Sequence, residues 1–249
     1  HLAIQASILA SEVISEIYRE PVVPVIKEDG SPVTKADFAA SEVISDLLET
    51  TNIPVLGEER EKASFEERLK WTENWCVDPL DGTRMFLKRN GEFSVNIAHI
   101  VGNKAVFGVI ASPVNREVLV GGPTFGCFLI PFDQFESPEN WTELKEHSER
   151  NDPLQIICSH SYQAFHGGTQ FEEYTENRSH EYIRKGSAIK FFDLALGEAD
   201  IYPRFAPTME WDIAAGQCVL EQAGGGVFDL KGKPLVYNKK ESLLNEPFL

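Results

Sequence analysis

Apolar residues recur at helical spacing at the start of the chain, where Ala6, Leu9, Val13 and Ile17 alternate with Glu12, Ser15 and Glu16. The spacing predicts an amphipathic helix over residues 2–18. Residues 21–35 are rich in Pro, Gly and charge, including Glu28-Asp29-Gly30-Ser31-Pro32, and read as an exposed loop. A second helix is expected from Thr34 to about Leu48, with Ala40, Val43, Leu47 and Leu48 turned inward. Asp37 falls in its first turn, where the helix dipole favours a negative charge.

The period then changes. Residues 53–56 form a short apolar strand ending in Gly57-Glu58-Glu59, and the charge-dense residues 60–73 predict a solvent-facing helix. Residues 93–100, 105–110, 117–120 and 127–130 are apolar or alternating runs separated by Gly, Asn and Pro, the pattern of an antiparallel meander. Residues 131–153 are polar, carry three prolines and connect two halves. The second half predicts strands at 154–158, 182–183, 200–202 and 227–228. Its helices are expected at 162–177, 187–196 and 211–223, the last stopped by Gly224-Gly225-Gly226. The whole reads as an α/β sandwich of alternating layers. Residues 1–135 and 150–249 are its two halves, joined in one compact unit.

Composition narrows the function. The net charge of −16 argues against nucleic-acid polymers and anionic membranes, which need a basic face. It also poses a problem for a phosphate substrate that a bound cation would solve. Cys76, Cys127, Cys158 and Cys218 are scattered through apolar stretches and read as buried thiols of a reducing cytosol. No apolar run approaches the ~20 residues of a membrane span, and residues 2–18 lack the basic region of a signal peptide. A cytoplasmic protein is expected, with loose contact at the inner membrane face left open. The first residue is His1, so a little of the natural N-terminus is expected to be missing.

The richest chemistry lies in Trp75-Cys76-Val77-Asp78-Pro79-Leu80-Asp81-Gly82-Thr83. An apolar strand here ends in two carboxylates, which a turn can aim at one point. Such a pair suits Mg²⁺, a hard cation that takes oxygen ligands, and Gly82-Thr83 could open a short helix whose N–H groups seat a phosphate. An ordinary Asp-Pro, Asp-Gly turn is the alternative. Glu58, Asp37 and Asp212 also stand where elements begin or end. Alone, Asp37 or Asp212 is a helix-start residue. As a set, Glu58, Asp78, Asp81 and Asp212 could bridge two or three Mg²⁺ ions.

These segments resemble the inositol monophosphatase superfamily of Mg²⁺-dependent, lithium-sensitive phosphatases. The matches are Asp29-x-Ser31-Pro32-Val33-Thr34-x-Ala36-Asp37, Gly57-Glu58-Glu59, Asp78-Pro79-Leu80-Asp81-Gly82-Thr83, and Trp211-Asp212 with Ala214-Ala215 and Gly224-Gly225. Three further segments resemble its CysQ-type 3'(2'),5'-bisphosphate nucleotidase branch. They are residues 88–98, Gly186-Ser187-x-x-Lys190-Phe191 and Tyr202-Pro203-Arg204-Phe205-x-Pro207-Thr208. The resemblance implies the layered αβαβα sandwich of the inositol monophosphatase and fructose-1,6-bisphosphatase type. It implies removal of the 3'-phosphate of adenosine 3',5'-bisphosphate, or of its phosphosulfate form, in sulfate assimilation.

The resemblance also implies residue roles. Glu58, Asp78 and the Leu80 carbonyl would hold one metal, and Asp78, Asp81 and Asp212 a second, with a third near Glu58. Thr83, paired with Asp37, would orient the attacking water. Glu58, Leu80, Asp81, Gly82, Thr83 and Asp212 would touch the substrate phosphate. Gly186, Ser187, Lys190 and Arg204 would touch the nucleotide. Lys88 and Arg89 are expected to position the metal loop only. His99, His160, His166 and His180 are not expected in the site. An inositol or sugar monophosphatase and a catalytically silent binding protein are the competing readings.

Overall fold

The structure is a computed structural model and describes residues 1–146, 149–161, 175–176 and 178–249. Helices α1 (Leu2–Tyr18) and α2 (Lys35–Leu48) pack on each other and on one face of a seven-stranded sheet. The sheet order is β3 (Val55–Gly57), β4 (Glu73–Asp81), β5 (Ser94–Val101), β6 (Lys104–Ser112), β7 (Glu117–Gly122), β8 (Gly126–Pro131) and β9 (Thr142–Glu143). β3 and β4 run parallel and every later pair is antiparallel, as the meander pattern predicts.

Period-two alternation gives the sheet two apolar faces. Val77, Val95, Ile97, Val109, Val118 and Val120 pack against α1 and α2. Cys76, Ala98, Ile100, Ile110 and Leu119 point the other way. They meet two further helices, which we label α5 (Lys190–Ala195) and α6 (Glu210–Gln222). Beyond these lie β10 (Leu154–Cys158) and β11 (His180–Arg184), a parallel pair. The result is a layered mixed α/β fold. The expected helix over 162–177 lies almost wholly outside the described residues.

Several expectations are corrected. In α1, Leu9 is 39% exposed, and the buried line is Ile4, Ser7, Ile8, Ser11 and Ile14. Serines can occupy it because Ser7 Oγ donates to Ile4 O at 2.8 Å and Ser11 Oγ to Ser7 O at 2.7 Å. No polar atom is then buried without a partner on that line. Val43 and Leu47 of α2 are only partly buried, whereas Ala40, Ile44 and Leu48 are covered. Residues 60–73 yield only one helical turn, α3 (Phe65–Arg68), capped by Ser64. It is an anchor and not a solvated face: buried Arg68 donates to Asn238 Oδ1 at 2.7 Å and Glu241 O at 2.9 Å. The loop at 21–35 is folded as a small hairpin, β1 (Val25–Ile26) with β2 (Pro32–Val33). The expected helix at 187 starts only at Lys190, after a turn in which Ser187 has φ +47°. Residues 201 and 228 contribute single bridges and not strands. The four cysteines are buried and unpaired.

Helix α6 lies directly on the sheet. A Cβ on Gly108 of β6 would stand 2.3 Å from the Ala215 carbonyl oxygen, so only glycine admits the helix at this depth. Gly108→Ala is therefore expected to cost about 1–3 kcal/mol through overpacking and to displace the helix that carries Asp212. Urea unfolding measures the first effect; a midpoint equal to wild type would show that α6 does not depend on this contact.

Candidate active site

The carboxylates of Asp78 and Asp81 face the same way because β4 is bulged between them. Residues three apart on a regular strand point to opposite faces. Here Asp78 pairs with Asn96 and Asp81 with Ser94, so three steps on β4 match two on β5. The extra residue restores both acids to one face, and Pro79, which has no N–H to donate, fits inside the bulge. Asp212 reaches the same point from the first turn of α6. One carboxylate oxygen from each of Asp78, Asp81 and Asp212 lies within 4.8 Å of the others.

Each acid is anchored through one oxygen. Asp78 Oδ1 accepts the Leu80 N–H at 3.0 Å, Asp81 Oδ2 the Ala188 N–H at 2.6 Å, and Asp212 Oδ2 the Met209 N–H at 2.9 Å. The three carboxyls are nonetheless pushed above the ordinary carboxylate range. Burial is the leading cause for each, and the neighbouring acids add to it. For Asp81, the Lys190 charge and the Ala188 N–H pull back. Such a cluster is a set of hard oxygen donors in need of positive charge, which fits a divalent cation.

Asp37 is buried beside this cluster. Its Oδ2 accepts from the Thr34 N–H at 2.8 Å and Thr34 Oγ1 at 2.6 Å, closing a capping box at the start of α2. Its Oδ1 accepts from Thr83 Oγ1 at 2.8 Å. Burial raises its carboxyl, and the Thr34 and Thr83 hydrogen bonds oppose the rise. Thr83 opens the short helix α4 (Thr83–Lys88), entered through Gly82 at φ +94°.

Glu58 lines the same cleft, but its carboxylate accepts from Lys27 at 2.9 Å. Lys27 also bonds Glu59 at 2.5 Å. Burial works against the lysine's charge, yet the two carboxylates hold its pKa above the ordinary value. The β1–β2 hairpin thus closes one side of the site, a contact the exposed-loop reading missed.

The cleft has a volume of about 640 Å³ and is lined by cations as well as acids. Leu80, Gly82, Thr83, Gly186, Ser187, Lys190 and Arg204 all line it. Lys190 is 3% exposed and its Nζ donates to the Ser187 and Lys185 carbonyls. It also lies 5.0 Å from the centre of the Tyr202 ring. Burial lowers its pKa to about 8 against the pull of Asp81. Arg204 donates to Ser159 Oγ and Pro207 O, both at 3.2 Å. Lys88 also lines the cleft, whereas Arg89 is bonded to Tyr18 and Glu20 carbonyls at the end of α1. His160, set aside by the sequence reading, lines the cleft and contacts Glu92 at 2.5 Å. His99 bonds Glu73, and His180 packs on Tyr182. His166 is outside the described residues.

Comparison with known proteins shows the family. The model of the inositol monophosphatase family matches residues 1–247. The 3'(2'),5'-bisphosphate nucleotidase CysQ of Escherichia coli strain K12 is 39% identical over 248 residues, covering 96% of this chain and 94% of that protein. The CysQ of Haemophilus influenzae is 33% identical, covering 95% of this chain and 86% of that protein. The crystal structure of CysQ from Bacteroides thetaiotaomicron superposes with a TM-score of 0.85 at 38% identity, covering 99% of this chain and 94% of that one. Among the described residues no helix is long and apolar enough to cross a membrane. On the residues it shares and the fold it adopts, the chain belongs to the inositol monophosphatase family, on the CysQ-type nucleotidase branch.

Proposed function

We propose that this protein hydrolyses the 3'-phosphate of adenosine 3',5'-bisphosphate to AMP and phosphate, in the cytoplasm, with Mg²⁺ as its metal. The observation that carries the reading is the two-signed cleft. An acidic cluster and the cations Lys190 and Arg204 line the same cavity. A monophosphate needs only the acids and their cation; a bisphosphate also has use for Lys190 and Arg204. Asp78, Asp81, Asp212 and Glu58, with the Leu80 carbonyl, are the groups that would hold two or three ions. When bound, these ions supply Lewis-acid stabilisation of the phosphoryl oxygens.

The chain's own residues supply the proton path. Thr83 Oγ1 donates to Asp37, so its lone pairs are available to accept from a water in the cleft. As that water attacks phosphorus, its proton passes to Thr83 while the threonine proton moves to Asp37. A carboxyl raised by burial suits this role, because its basicity is nearer that of the proton it receives. The P–O3' bond breaks, the ribose oxygen takes a proton from solvent water, and Asp37 returns the proton it received to solvent. Gly82 and Thr83 N–H groups would seat the phosphate. Gly186 and Ser187 would let the nucleotide approach the backbone. Lys190 and Arg204 would hold the 5'-phosphate, Arg204 through its paired donors. The two halves of the chain, meeting at this cleft, act as one catalytic unit.

Asp81→Asn is expected to bring activity with saturating Mg²⁺ to background while the folded protein without metal melts no earlier than wild type, since one of three crowded charges is removed. Kinetics and thermal melts in chelator check both halves; wild-type-like rates would refute the ligand assignment. Comparing kcat/KM on adenosine 3',5'-bisphosphate and inositol 1-phosphate tests the substrate, and faster turnover of the inositol ester would overturn it. Lys190→Ala is expected to lower kcat/KM for the bisphosphate about tenfold or more through a lost charged hydrogen bond, and to affect a monophosphate less. Equal losses would show that Lys190 does not read the second phosphate.

A further inference from the structure

Glu92 belongs neither to the acidic cluster nor to the Lys190–Arg204 pair, yet it packs against the Gly82 turn and the 186–188 turn that flank them. It sits between α4 and β5 with its side chain 24% exposed. Its Oε2 accepts the Gly186 N–H at 2.7 Å and lies 2.5 Å from His160 Nε2. Its backbone is wedged between two turns. A Cβ on Gly82 would stand 3.0 Å from the Glu92 carbonyl oxygen and 3.1 Å from Ser187 Cβ. A Cβ on Gly186 would stand 2.6 Å from Met85 Cγ, 3.0 Å from that same oxygen and 3.2 Å from Glu92 Oε2. Glu92 is in close contact with the backbone of both turns. Two residues beyond Gly186, the Ala188 N–H donates to Asp81 at 2.6 Å. Glu92 is thus one hydrogen bond from the turn that holds Asp81 and one from the segment carrying His160.

We infer that Glu92 is a positioning residue that fixes the 186–188 turn and His160 relative to the Gly82-Thr83 turn, and so sets the enzyme's preference for a bisphosphate over a monophosphate. The specificity part rests on the nucleotidase reading above; the positioning part does not. A carboxylate accepting two donors through one oxygen holds them in a fixed relation, which a neutral amide does less well. Losing it frees the 186–188 turn, whose Ala188 N–H also holds Asp81.

Two measurements on the full chain with Mg²⁺ decide the matter. Hydrogen exchange at the Gly186 amide is expected to quicken at least ~10-fold in Glu92→Ala, less in Glu92→Gln, with α6 amides unchanged. Unchanged exchange at Gly186 would overturn the positioning role, whatever the substrate. In steady-state kinetics, Glu92→Ala is expected to raise KM for adenosine 3',5'-bisphosphate about tenfold. The rise for adenosine 3'-phosphate should be smaller, and Glu92→Gln should recover part of the loss. Equal rises for both substrates would overturn the specificity role. A wild type that turns over neither nucleotide would sink the nucleotidase reading and the specificity role with it, leaving positioning to be decided by exchange alone.

Discussion

Like charges forced together are the constraint on which this structure is arranged. Asp78, Asp81 and Asp212 are within reach of a single ion, and burial and mutual repulsion raise all three carboxyls. Nothing in the folding of the chain alone favours that meeting. It persists because each acid is delivered by an element held elsewhere. The β4 bulge aims two of them, and β4 is held by β3 on one side as far as Val77 and by β5 on the other through Asp81. The third rides on α6, pressed onto Gly108 closely enough that a methyl group would collide. The apolar layers on both sides of the sheet supply the stability that the cluster withdraws.

The same repulsion explains the placement of the cations. A chain with net charge −16 should repel a bisphosphate. Yet its buried Lys190 and its Arg204 line the same cleft as the acids, and Lys27 and Lys62 crowd the Glu58 edge. Positive charge is concentrated where the opposing field is strongest. Burial lowers Lys190 to about 8 although Asp81 favours its charged form, so desolvation outweighs attraction at that position.

Much of this was legible in the chain. Asp78-Pro79-Leu80-Asp81-Gly82-Thr83 carried the acidic turn, and period-two runs carried the meander, because both are encoded by neighbours in sequence. What escaped was set by partners far along the chain. Lys27 meets Glu58 across 31 positions, Arg68 meets Asn238 across 170, and Glu92 meets Gly186 across 94. Charge density at 60–73 looked like a solvated helix because a buried, satisfied arginine cannot be told from an exposed one by composition. The inward line of α1 was misjudged for a related reason. Its serines satisfy themselves on their own helix, so they behave as small core residues. Pro79 was the one local sign of the bulge, and it was read only as part of a turn.

Asp37 and Asp212 show why the choice between helix cap and functional acid was a false one. Each caps the start of its helix with Oδ2, Asp37 on the Thr34 N–H and Asp212 on the Met209 N–H. A carboxylate has a second oxygen, and in Asp37 that oxygen receives Thr83. Asp78 and Asp81 repeat the division, each tied to a backbone N–H through one oxygen. One oxygen fixes the orientation of the carboxylate and the other is left to face the cleft. An acid at a helix start is well suited to this division, because the N–H groups that need a cap are rigid and the dipole there favours its charge. The local role does not compete with the chemical one; it orients the oxygen that the chemistry requires.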